Sequence, residues 1–171
     1  MKNSIVKSRK KTIFDLKFIK NYMRVSGDDH DASLTYLMEV ATDWVEEELG
    51  KTLITQTRNV IHRNNSFRLP YGPILKVLKV VYHKQELKEG DYTLEPLGDS
   101  VLLTVPFRWK CPEVDVTYEA GFGESAEEVP SVLRHAVLGT LEYLFEHKGD
   151  ITSLENQSAP WLKAHRSFHV L

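Results

Sequence analysis

Apolar and polar positions alternate in two different rhythms along this chain. Leu34, Leu37, Met38, Ala41, Val45 and Leu49 recur at i, i+3, i+4, i+7 spacing, the signature of one buried helical stripe. The spacing predicts a helix over residues 30–49, capped by Asp28 or Asp29 and stopped by Gly50 as a left-handed residue. Leu16, Ile19, Tyr22 and Met23 predict a shorter helix over 13–23, with Thr12 as N-cap and Asp15 completing a capping box. A third stripe, from Leu133 to Phe145, follows Pro130 at a first helical position and ends at Gly149. Between the second and third helices the period changes to two. Residues 54–62, 77–83, 92–95, 101–105 and 114–118 read as short strands, separated by turns at 64–66 and 89–91. Residues 67–73 read as an extended, proline-punctuated link.

The expected fold class is α+β and mainly α-helical. Helices pack as the body, and a small β lobe is inserted between the second helix and the last long one. The division that follows is a basic flexible arm at 1–11, a domain at 12–149 and a C-terminal tail at 150–171. Within the domain, helices occupy 12–50 and 130–148, and the β lobe occupies 53–118.

Charge changes this picture. The net charge is only -2, yet residues 1–24 carry eight Lys or Arg against one acid, and residues 25–50 carry eight acids and no Lys or Arg. Blocks of opposite sign pair either within a molecule or between neighbours arranged head to tail, and a head-to-tail contact closes into a ring when the rotation allows. Glu46, Glu47 and Glu48 stand in the last turn of a helix, where the dipole disfavours negative charge. That misfit marks a candidate subunit interface, with Lys17, Lys20 and Arg24 as its basic counterpart.

Composition excludes several classes. The single cysteine, Cys111, rules out an intrachain disulfide. No stretch approaches the ~20 apolar residues of a membrane span, and the basic N-terminus lacks the apolar core of a secretory signal. The expectation is synthesis in a cytoplasm, with no membrane partner. No phosphate-binding glycine loop, nucleophile elbow or zinc-protease motif occurs. Asp28, Asp29, His30 and Asp31 read as a helix cap rather than a metal cluster, and His165 with His169 lacks a third ligand. No catalytic residue, metal or cofactor is expected. Lys7, Arg9, Lys10 and Lys11 could contact nucleic-acid phosphate, which leaves a small DNA-binding module open as the alternative function.

Several segments, in order, resemble the head–tail connector (adaptor) family of long-tailed bacteriophages and prophages. They are Leu16-Lys17 with Tyr22-Met23-Arg24-Val25; Asp28, Asp29 and Asp31 with the helix to Gly50; Leu53-Ile54-Thr55-Gln56-Thr57; Leu69-Pro70, Pro73-Ile74 and Val77; Val116 to Gly123; Val129-Pro130, Leu133-Arg134 and Ala136; and Leu162-Lys163-Ala164-His165-Arg166. The last departs from the family pattern, which usually has an aromatic residue where His165 stands. The resemblance implies a structural virion protein at the head–tail junction, assembled in the host cytoplasm. It implies a homo-oligomeric ring, typically dodecameric, beneath the portal protein. A further connector, stopper or tail protein binds below, and genomic DNA passes through without sequence specificity. It also implies a portal-docking tail carrying Trp161, Leu162, Lys163, His165, Arg166 and Phe168.

Overall fold

A computed structural model describes residues 2–8, 12–106, 113–152 and 154. Strand β1 spans Lys2–Lys7 and is followed by helices α1, Leu16–Met23, and α2, Asp31–Leu49. Seven strands come next: β2 Gln56–His62, β3 Ser66–Arg68, β4 Ile74–Tyr82, β5 Gln85–Glu86, β6 Thr93–Leu97, β7 Ser100–Thr104 and β8 Val114–Ala120. A 3-10 turn at Ala126–Glu128 leads into α3, Ser131–Glu146. The strands form two antiparallel sheets, one ordered β1-β2-β8-β4-β5 and the other β3-β7-β6.

The expectation of a mainly helical fold is therefore wrong. Three α-helices share the described residues with eight strands, and the β part has a core of its own. Two clusters of buried side chains divide the work. Leu34, Met38, Val45, Val137, Leu141 and Leu144 close α2 against α3. Val60, Val80, Leu103, Val116 and Tyr118 close the large sheet against the small one. Helix periodicity is the louder signal in a sequence, whereas three of the eight strands are too short or too irregular to alternate. β1 lies in the stretch expected to be a flexible arm because it is polar and basic; its adjacent Ile5 and Val6 give no period of two. It forms through main-chain pairing along the edge of β2, with Lys2 opposite Ile61 and Lys7 opposite Thr57. β3 lies in the expected turn and link, and β5 is two residues long.

The helix ends also differ in detail. Asp15, not Thr12, caps α1, accepting from the Phe18 amide at 2.7 Å. Thr12 donates its hydroxyl to the Phe14 carbonyl instead. His30 occupies the N-cap position of α2, and Asp28 is taken up elsewhere. Gly50 does end α2 in the left-handed region, with φ of 61°. Pro130 sits one place earlier than expected, at the N-cap of α3. Among the described residues no helix is long and apolar enough to cross a membrane.

Candidate assembly surface

The acidic turn of α2 is the first place where the structure reassigns a site residue. Glu46 is 3% exposed and faces inward. Its carboxylate accepts from the Leu53 amide at 2.8 Å, from Gln56 Nε2 at 3.1 and 3.0 Å, and from Arg58 Nη2 at 3.2 Å. The basic partner sought in a neighbouring subunit is thus Arg58 of the same chain. Arg58 sits on β2, where alternation places Gln56, Arg58 and Val60 on the buried face. A buried carboxylate is tolerable only with this degree of pairing. Glu47 stays exposed and accepts from the Tyr71 hydroxyl at 2.6 Å. Glu48 is half-buried.

Tyr71 completes a clasp between the helical and β layers. Its ring lies under the Arg58 guanidinium at 4.1 Å, and Asn3 of β1 hydrogen-bonds to its hydroxyl. Its φ of 57° is in the left-handed region, which a residue with a side chain holds only when its surroundings demand it. Burial, reinforced by the Glu47 carboxylate, pushes its hydroxyl up to about 12. Below it, the Tyr118 hydroxyl donates to the Pro70 carbonyl at 2.8 Å, and burial raises that phenol too. Lys51 pairs with Asp99 on the same side of the molecule. The clasp ties the helices to the sheets.

The second charge block is partly spent within the chain. Lys20 bridges Asp31 at 2.7 Å and Asp28 at 3.1 Å, and these two hydrogen bonds raise its pKa. That engages Asp28 and Asp31, two of the three acids that a metal reading would have used. Among the described residues no three His, Cys, Asp or Glu side chains converge as a metal site. Lys17 and Arg24 remain on the exposed side of α1. There Phe14 stacks on Phe18 at 4.8 Å and Phe18 on Tyr22 at 6.4 Å, giving an aromatic ridge flanked by positive charge.

Sequence reasoning missed the apolar surface of the β part. β4 pairs with β8 through two bulges, one between Ile74 and Lys76 and one between Val77 and Lys79. The extra residue in each is a leucine, Leu75 and Leu78, and these are 53% and 45% exposed. Bulges re-aim side chains. A signal was present in Ile74-Leu75-Lys76-Val77-Leu78-Lys79, a triplet written twice, which a strand of period two cannot seat on one face. Leu94 and Leu97 of β6 are exposed as well. Between β4 and the β6–β7 hairpin runs a groove of about 660 Å³, with Leu75, Val77, Tyr92, Leu94, Pro96 and Val101 in its walls.

Lys7 ends β1 and is exposed. Arg9, Lys10 and Lys11, the tail residues Trp161, Leu162, Lys163, His165, Arg166 and Phe168, and Cys111 lie outside the described residues.

The two layers, the clasp between them and the exposed apolar side chains of β4 and β6 are the features to set beside known proteins. The family model for phage gp6-like head-tail connector proteins matches residues 14–106. The chain belongs to that family, and its place is the head–tail junction of a phage-like particle. No curated protein sequence matches the chain. Solved structures share the fold at low identity. A chain in the neck of an empty GTA particle computed with C6 symmetry aligns with a TM-score of 0.79 at 18% identity, covering 100% of this chain and 98% of that one. A chain in the neck of the native GTA particle computed with C12 symmetry aligns at 0.76, also with 18% identity and the same coverage. A chain from the virion of the native gene transfer agent gives 0.78.

Proposed function

We propose that the protein is a ring-forming, non-catalytic connector that seats on the portal protein and passes DNA to the tail. The connector-family match across α1, α2 and most of the β part carries this reading. The full-length likeness to chains from particle necks treated with six- and twelve-fold symmetry supports a cyclic assembly, with twelve copies on the portal. A cyclic ring uses two unlike faces of each subunit. Lys17 and Arg24 belong to one such face, and Glu47 and Glu48, on the outer side of the α2 end, belong to the other, whereas Glu46 is buried. Residues 158–171, with Trp161, Leu162 and Phe168 as apolar anchors, dock on the portal. A further connector, stopper or tail protein binds the opposite face, and DNA crosses the ring without sequence readout.

The test is reconstitution with the portal protein encoded beside it, read by sedimentation and electron microscopy. The full chain should stack on the portal as a ring. A chain ending at residue 157 should keep its fold and lose portal binding. If the shortened chain binds the portal as well as the full one, the docking assignment is wrong. If the full chain does not bind and instead retains DNA in a steeply salt-dependent manner, the connector reading gives way to the DNA-binding module.

A further inference from the structure

The groove under β6 is a half-built core. Directly opposed residues of an antiparallel pair share a face of the sheet. Leu94 stands opposite Leu103, Pro96 opposite Val101, and Phe67 also opposite Leu103. Leu103 and Phe67 are buried in the β core, so this is the inner face of the small sheet. At its β3 end the inner face covers that core. At its β6 end it overhangs the groove, where Leu94 is 41% exposed with nothing beneath it among the described residues. The opposite wall is β4, whose first bulge turns Leu75 into the same space. An exposed apolar surface of this kind marks an interaction site. Here it is shaped as a slot between two layers rather than as a flat patch.

Resting on the connector reading, we infer that the groove is the receiving half of the subunit interface. Its occupant is the aromatic ridge of α1 from the neighbouring copy of this chain. Two observations select that occupant. Head-to-tail rings need a second, different apolar face on the same molecule, and α1 supplies one: Phe18 is 44% and Tyr22 is 41% exposed, one helical turn apart and stacked into a continuous ridge. The charges also match. α1 contains no acid, and it presents Lys17 and Arg24 beside the ridge. Of the charged side chains that line the groove, two are acids, Glu89 and Asp99, and one is a base, Lys76. Complementary charge of this sort fixes register and speeds docking. Both parts of the contact are present in every copy, so it propagates head to tail and closes into a ring when the rotation allows.

Two variants test this on full-length protein with the portal protein as template. The first is Leu75→Glu combined with Leu94→Glu. Both side chains are already partly in water, so circular dichroism and the melting curve should stay near those of the parent. Ring formation on the portal should weaken by roughly 30-fold or more, the loss expected at an interface hot spot. The second is Tyr22→Cys with Leu94→Cys in a Cys111→Ser background. On oxidation it should give a ladder of disulfide-linked oligomers only when rings form. Native-like rings from the glutamate variant would overturn the inference while leaving the connector role intact. So would rings that yield no ladder, since the groove would then hold something other than α1. If the parent chain itself forms no ring on the portal, the connector reading falls, and this inference with it.

Discussion

Glu46→Ala removes the carboxylate on which the two layers converge, and its effect can be worked out from the contacts. The ion pair with Arg58 has side chains only 3% and 5% exposed and a separation of 3.2 Å. At an effective dielectric of about 20, the bare attraction at that distance is about 5 kcal/mol, most of it offset by the cost of taking both charges out of water. Removing one partner is different from removing both. It leaves Arg58 buried and uncompensated, which costs about 3–5 kcal/mol. The Leu53 amide and Gln56 Nε2 lose their acceptor in the same change. A total near 4 kcal/mol is a large part of the ~5–15 kcal/mol that holds a domain of this kind together. With a urea m-value of about 2 kcal/mol/M, the unfolding midpoint should fall by about 2 M. Adding Arg58→Met to the alanine variant removes the stranded charge. It should restore about 2–3 kcal/mol, less the ~0.5–1 kcal/mol of stacking on Tyr71. Urea unfolding of the four proteins in a double-mutant cycle reads both numbers. A single-variant loss below about 1 kcal/mol would refute the reasoning. So would a double variant less stable than Glu46→Ala, because the carboxylate would not then be the charge that Arg58 requires.

Two further perturbations follow from local geometry. The Tyr71 hydroxyl is held up to about 12, against an ordinary value of 10.0. Its neutral form is therefore favoured in the folded state, and the stability this provides is complete below pH 10 and lost as pH rises from there toward 12. The full shift corresponds to about 2.7 kcal/mol, and partial exposure reduces it to about 1–2 kcal/mol. Tyr71→Phe should flatten the alkaline limb of a stability-against-pH profile by that amount; an unchanged limb would show that Tyr71 does not control it. Gly121 has φ of 142°, and an added Cβ would lie 2.6 Å from the Thr55 amide nitrogen. Gly121→Ala should cost about 2–4 kcal/mol in thermal or urea unfolding; a loss under about 1 kcal/mol would mean that the backbone gives way there.

The helices were legible because their stripes are internal to single segments: Leu34 to Leu49 and Leu133 to Leu144 reach the same core by periodicity alone. Five strands were legible because they alternate. What escaped was whatever depends on a distant partner. β1 carries no pattern of its own and becomes a strand through the open edge of β2. The bulges in β4 shift its register against β8 and expose Leu75 and Leu78, an outcome set by the partner strand. Arg58 lies in the strand expected over 54–62, and nothing in the local pattern marks it as a partner for Glu46. Only the fold brings it 3.2 Å from a carboxylate twelve residues earlier.

The same contrast bears on where an assembly surface should be sought. Glu46, Glu47 and Glu48 broke a local rule, and the break suggested a missing partner outside the molecule. For Glu46 the partner is inside, because a helix end facing its own sheet can receive an arginine from it. A local misfit therefore identifies a residue that needs a partner without saying whose. The leucines of β4 and β6 break a rule of a different kind. An unmatched buried charge can be answered by one side chain from the same chain. Apolar area still in water after two cores have closed has found no cover among the described residues. In a molecule whose family builds head–tail connectors, that surface, rather than the conspicuous acidic triplet, is where the proposed contact between copies has the most free energy to gain.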